Sequence, residues 1–217
     1  MKPPFTIEQF LAVFKNYNQQ VFPMQVVFCL ISVFAIYLII KPNSKSNKII
    51  SIILSFLWIW MGFVYHIIFF TAINKAAYLF GALFIVQGAL FLIFGIFQNT
   101  LSFRYHFDKF GITGMGLILF ALIIYPILGY FFGHIYPSSP TFGLPCPTTI
   151  FTFGILLING KKCSLTILVI PFFWSVISFM AAFQFGILED MGLLVASLIT
   201  TSLLIYRNNR LLVGKVN

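Results

Sequence analysis

Seven long apolar runs, separated by short polar or basic connections, constrain this chain more than any other feature. A bilayer core of ~30 Å is crossed by about 20 helical residues, so runs of that length identify candidate membrane spans. The runs fall at 21–40, 49–73, 76–97, 110–132, 147–159, 165–187 and 190–206. None alternates polar and apolar residues for long, as barrel strands must. With 60% hydrophobic and only 8% charged residues, the composition lies far from that of soluble domains, where about a quarter of residues are charged. The expected fold is all-α: one membrane domain over 1–217, an integral bundle of seven transmembrane helices with the lipid bilayer as its main partner. The first run is full length and is not followed by an A-x-A cleavage site, so it is expected to stay in the protein as a span.

The charge pattern orients the bundle, because basic residues are retained on the cytoplasmic side. Connections 41–48 (Lys41, Lys45, Lys48), 98–109 (Arg104, Lys109) and 160–164 (Lys161, Lys162), with the tail (Arg207, Arg210, Lys215), carry ten basic residues on one side. Lys2, Lys15 and Lys75 make three on the other. An odd number of spans keeps the clusters together, with the N-terminus outside and the C-terminus in the cytoplasm. The formal charge of +9 therefore reports topology rather than nucleic-acid binding, since the basic residues form no stripe or basic helix.

Ahead of the first span, Thr6 and Gln9 have capping-box spacing. Ile7, Phe10, Leu11, Phe14 and Tyr17 recur at helical intervals against Glu8, Gln9, Lys15 and Asn16. This predicts a short amphipathic helix over 5–19 on the outer interface, serving as an anchor or as a lid over an outward cavity. The fifth run is odd, since about twelve strongly apolar residues reach only roughly 18 Å. The segment before it, 137–147, has four prolines in eleven residues and cannot be helical throughout. It is expected to dip into the outer leaflet as a re-entrant stretch, which requires protein or water to satisfy its backbone. Gly129 with Gly133, and Ala182 with Gly186, have the small-residue spacing of close helix contacts, and Pro126 and Pro171 are expected to kink their helices.

Ionisable groups inside a membrane are costly, which makes each a candidate for function. His66 is expected in the outer half of the second span, either bonded to a neighbouring helix or facing a cavity. Glu189 and Asp190 fall in an outer turn: solvated, they would merely start a helix; facing a cavity shared with His66 and His134, they would form a cation site or proton relay. His and carboxylate ligands suit several divalent metals, but the spacing 66, 134, 189 matches no metal signature. Cys146, between prolines at a helix start, is either a small turn residue or a thiol at an N-cap, where the dipole favours thiolate. The same helix start, with Thr148 and Thr149, offers free N–H donors to an anion. Gln87 and Gln184 are expected to bond between helices. Three cysteines without C-x-x-C spacing suggest neither a disulfide framework nor a zinc knuckle. No P-loop, dinucleotide fingerprint, H-E-x-x-H or nucleophile elbow is present, which argues against the common ATP-driven and hydrolytic classes.

Phe5-Thr-Ile-Glu-Gln-Phe10, Trp58-Ile-Trp-Met-Gly62 through Tyr65-His66, Pro140-Thr-Phe-Gly-Leu-Pro-Cys-Pro-Thr-Thr149 and Glu189-Asp-Met-Gly-Leu-Leu194 together resemble an uncharacterised family of bacterial inner-membrane proteins, known as domain of unknown function 6064. The resemblance covers essentially the whole chain and implies location and span number, with no activity, cofactor or site residue to transfer. The residues thus point to a small-solute or ion transporter or a membrane-embedded binding protein. A membrane enzyme of the thiol-oxidoreductase or proton-relay type, or an accessory subunit of a membrane complex, is the alternative.

Overall fold

A computed structural model describes residues 4–213, with α1 at Ile7–Gln20, α2 at Met24–Ile40, α3 at Ser46–Ala72, α4 at Ala77–Phe97, α5 at Lys109–Phe131, α6 at Pro145–Ile158, α7 at Thr166–Phe185 and α8 at Met191–Val213. Among the described residues the architecture is all-helical. Five segments, α3, α4, α5, α7 and Leu188–Leu211, are long and apolar enough to cross a membrane; α1 and α2, bent 81° apart, make six if taken together as one span. The first run therefore resolves into a helix from Met24, because a turn at 21–23 separates it from α1. At α1 the Thr6 Oγ1 accepts the Gln9 backbone N–H while the Gln9 side chain accepts that of Thr6, a reciprocal capping box.

Large apolar side chains crowd the outer surface: Leu30, Ile68, Phe173 and Val195 are each more than half exposed. Water would penalise such a surface, whereas lipid solvates it. The short helix α6 differs. Every residue from Pro147 to Ile158 is buried, packed against α5, α7 and α8. Its fourteen residues need not span lipid unaided, because protein surrounds them. The α5–α6 crossing is built on glycine, since a Cβ on Gly154 would lie 2.6 Å from the Gly114 carbonyl oxygen. Likewise a Cβ on Gly62 of α3 would lie 2.7 Å from the Gly81 carbonyl oxygen of α4. Gly133 and Gly186 play another part: both have positive φ, at 88° and 70°, and end helices, with open space where a Cβ would be. The expected small-residue contacts at these two positions are thus corrected to turn glycines. Three stretches, Met61–Phe69, Ile93–Phe97 and Phe120–Ile124, wind with the wider π spacing. The last of these directly precedes Tyr125-Pro126, where proline supplies no N–H to the helical ladder.

The connections define two ends. At one, the Lys161 ammonium donates to the Asn99 carbonyl (2.9 Å), Ser102 N–H to Asn159 Oδ1 (2.8 Å), Phe103 N–H to Asn47 Oδ1 (2.7 Å) and Tyr105 N–H to the Ile39 carbonyl (3.1 Å). Asn208 of α8 clamps Cys163 through both its N–H and its carbonyl, and Arg207 Nη1 donates to the Leu157 carbonyl at the end of α6. The basic connections 41–45, 98–108 and 159–165 therefore meet one another and the end of α8. The connections at the opposite end carry α1, residues 132–144 and the acidic turn 187–190.

Candidate functional site

At that opposite end a cavity of about 230 Å³ lies between α1, the end of α3, the start of α4, α7 and residues 140–146. Its walls are aromatic, with Phe10, Tyr65, Phe70, Phe80, Trp174 and Phe185 prominent. On the α1 side the Phe10 ring stacks on Phe185 at 5.5 Å and meets Phe70 edge-on at 5.8 Å. Polar groups enter at few points: Asn74 and Gln184, and then Cys146, Ser178 and Asp190. The Cys146 sulfur is 3.1 Å from Ser178 Oγ. Asp190, 3% exposed, lies beside that thiol and accepts a hydrogen bond from the Tyr125 hydroxyl of α5.

Segment 137–144 reaches this site as irregular backbone whose polar groups are met by protein. Asn18, fully buried in α1, donates to the Pro137 carbonyl (2.7 Å) and the Ser139 carbonyl (2.8 Å) and accepts from the Thr141 hydroxyl (2.6 Å). Gly143 N–H donates to Thr148 Oγ1 (3.0 Å), at a φ of 101° that favours glycine. Trp60 Nε1 donates to the Tyr17 hydroxyl, which reaches the Gly143 carbonyl. Asn18 and Tyr125 escaped the reading of the sequence, and Tyr17 was legible as part of an apolar helix face and not as a hydrogen-bonding group. Asn18 sits near the end of α1 in the polar stretch Lys15-Asn-Tyr-Asn-Gln-Gln20, where an asparagine reads as ordinary surface and nothing marks it as buried.

The remaining candidates divide. Glu189 and Asp190 are not a solvated helix start: both side chains are buried and turn different ways. Glu189 Oε1 lies 2.7 Å from His134 Nδ1, while its Oε2 has no partner among the described residues. Gly129 makes room there, since a Cβ would approach Glu189 Oε1 to 3.2 Å. His66 stands apart from that pair, wholly buried in aromatic rings, with Phe84 at 4.6 Å and Tyr65 and Trp174 each at 5.1 Å. Neither of its nitrogens finds a partner among the described residues. His66, His134, Glu189 and Asp190 thus do not converge on one point, and no group of three or more His, Cys, Asp or Glu is placed to hold a metal among the described residues. Leu144 is the N-cap of α6 and Cys146 its second residue, so the thiol lies two residues inside the N-cap position expected of it. An anion at that helix start would meet the Asp190 carboxylate. Thr148 is occupied by Gly143, and Thr149 Oγ1 is buried without a partner among the described residues. Gln87 Nε2 donates to the Ile167 carbonyl (3.0 Å), the interhelical bond expected of it, whereas Gln184 is exposed beside the cavity.

Neither the curated proteins nor the solved structures include a match to this chain. One family profile does match, over residues 7–214, essentially the whole length. The chain belongs to the Family of unknown function (DUF6064).

Proposed function

We propose that this is a multi-pass protein of a bacterial inner membrane, crossing seven times as one membrane domain, with its N-terminus outside and its C-terminus in the cytoplasm. In this reading it is a transporter or membrane-embedded binding protein for a small molecule. The seven crossings are α2 through α8. Their alternation is supported by the meeting of the three basic connections with the end of α8 at one end of the bundle. Retention of Lys and Arg in the cytoplasm then makes that end the inner one. Helix α1 lies along the outer interface and covers the cavity. Residues 137–144 stand at the outer end, their backbone satisfied through Asn18.

The observation that carries the functional reading is the aromatic cavity ending on Cys146, Ser178 and Asp190. A mostly apolar recess with a few convergent polar groups is the usual form of a small-molecule site. The test is thermal unfolding of the purified protein against metals, anions, metabolites and short amphiphiles. A ligand held only by the folded state stabilises by about 2.7 kcal/mol at a hundredfold excess over its Kd. The expected result is a shift with amphiphiles that is lost in Ala181→Trp, where an indole fills the cavity. No shift in the wild type, or an equal shift in Ala181→Trp, would remove the cavity from the proposal. Reporter fusions at Asn43 and Ser138 test topology, with Asn43 expected inside and Ser138 outside.

A further inference from the structure

We infer that the occupant of this cavity is an amphipathic organic cation, an apolar body carrying one ammonium-type head that lies against Asp190. The inference rests on the cavity being a ligand site, and it commits that site to a chemical class. Three observations carry it.

First, Asp190 is the one acidic residue lining the cavity, and no Lys, Arg or His lines it among the described residues. The carboxylate receives the Tyr125 hydroxyl, but the ion pair found among the described residues joins His134 to Glu189. A buried carboxylate without a cation is costly, and a ligand cation is the group that would offset that cost. Second, the walls are rich in aromatic rings, and the negative face of such a ring attracts a cation more strongly where water is excluded. Trp174, the best ring type for this purpose, lines the same space as Tyr65 and Phe80. Third, an anionic head would find neutral donors alone, such as the unpartnered Trp174 indole N–H, with no cationic side chain among the described lining residues, and the α6 N-terminus, the natural anion seat, already has Asp190 beside its second residue, Cys146. With Cys146 and Ser178 bonded to each other, Asp190 is left to take the head while the rings take the body.

The test compares four probes of one chain length and differing heads: octyltrimethylammonium, octylamine, octanol and octanoate, titrated against the full chain in lipid nanodiscs. Thermal unfolding reports binding in every chain, and the change in intrinsic tryptophan fluorescence supports it in those that keep Trp174. The expected result is that both cations bind about tenfold or more tighter than octanol, and octanoate weakest. Asp190→Asn should abolish the preference while octanol still binds, and Trp174→Leu, which keeps the carboxylate, should reduce it. Octanol or octanoate binding as tightly as the cations overturns the cation assignment and leaves the cavity standing as a site. If none of the four binds, the cavity reading falls with it. The comparison among heads is made in the wild type, so it holds even if Asp190→Asn fails to fold.

Discussion

Replacing Gly154 with alanine adds one methyl group where two helix backbones cross in close contact. The new Cβ would lie 2.6 Å from the Gly114 carbonyl oxygen and 2.7 Å from Ile118 Cγ1 on α5. Ordinary contacts of this kind need about 3.4 Å or more, so α5 and α6 must separate by somewhat less than 1 Å along a tightly packed face. Overpacking of this sort costs roughly 1–3 kcal/mol, against which alanine recovers up to about 1 kcal/mol of helix propensity over glycine. The net expectation is a loss of about 1–2 kcal/mol, or a fall of roughly 2–8 °C in Tm for a chain of this size. Gly116→Ala is the matched control: it lies on the same α5, and a Cβ there meets nothing within 4 Å. That variant should be neutral or slightly stabilised. Thermal unfolding in one detergent, with both variants beside the wild type, gives the answer. Equal Tm values for Gly154→Ala and Gly116→Ala would refute the claim that α5 and α6 touch backbone to backbone.

Further expectations concern single polar contacts. The Thr152 hydroxyl accepts the Trp58 indole N–H at 3.0 Å, so Thr152→Val should cost about 1–3 kcal/mol in thermal unfolding while Thr152→Ser keeps most of the stability. His134→Ala leaves the buried Glu189 carboxylate without its partner and should cost about 3–5 kcal/mol. Adding Glu189→Gln should recover part of that loss, and additive effects in a double-mutant cycle would deny the pairing. At the basic end, burial pushes the Cys163 thiol above its ordinary 9.0, to about 11. Its alkylation, read by mass spectrometry, should be slow at neutral pH and rise about tenfold per pH unit. Because the folded thiol ionises later than the unfolded one, its contribution to stability is intact below about 9 and is lost as pH climbs through about 11.

Helices and ends were legible in this sequence because lipid imposes a coarse rule: long apolar runs are helical, and lysines mark where they stop. The same uniformity hides which faces meet. An apolar stripe toward lipid and one toward protein are written in the same residues, so nothing in Ile150-Phe-Thr-Phe153 announces that α6 is enclosed on every side. Glycines were misread for a related reason. Gly133 and Gly186 fit a spacing rule but serve turns, whereas Gly62, Gly81, Gly114 and Gly154 form the close crossings without sharing any one motif. At the candidate site, Cys146 and Asp190 were visible as unusual residues in unusual places. Their neighbours Tyr125 and Ser178 come from α5 and α7, and that juxtaposition depends on helix rotation, which the pattern of apolar residues leaves open. His66 shows the opposite case, a conspicuous residue that the fold sets among rings rather than in the cavity.

The enclosure of α6 also bears on how the chain is made. Fourteen residues reach about 21 Å, short of the ~30 Å that an isolated helix must cover. A ribosome that has just completed α6 has already supplied α5 but has yet to supply α7 and α8, which close the other flanks. During that interval the Thr148, Thr149 and Thr152 side chains have no finished enclosure, and α5 is the neighbour already made against which the segment can pack. Chains truncated before Met191 would leave that flank uncovered, so the enclosure of α6 is complete only once the last helix has been made.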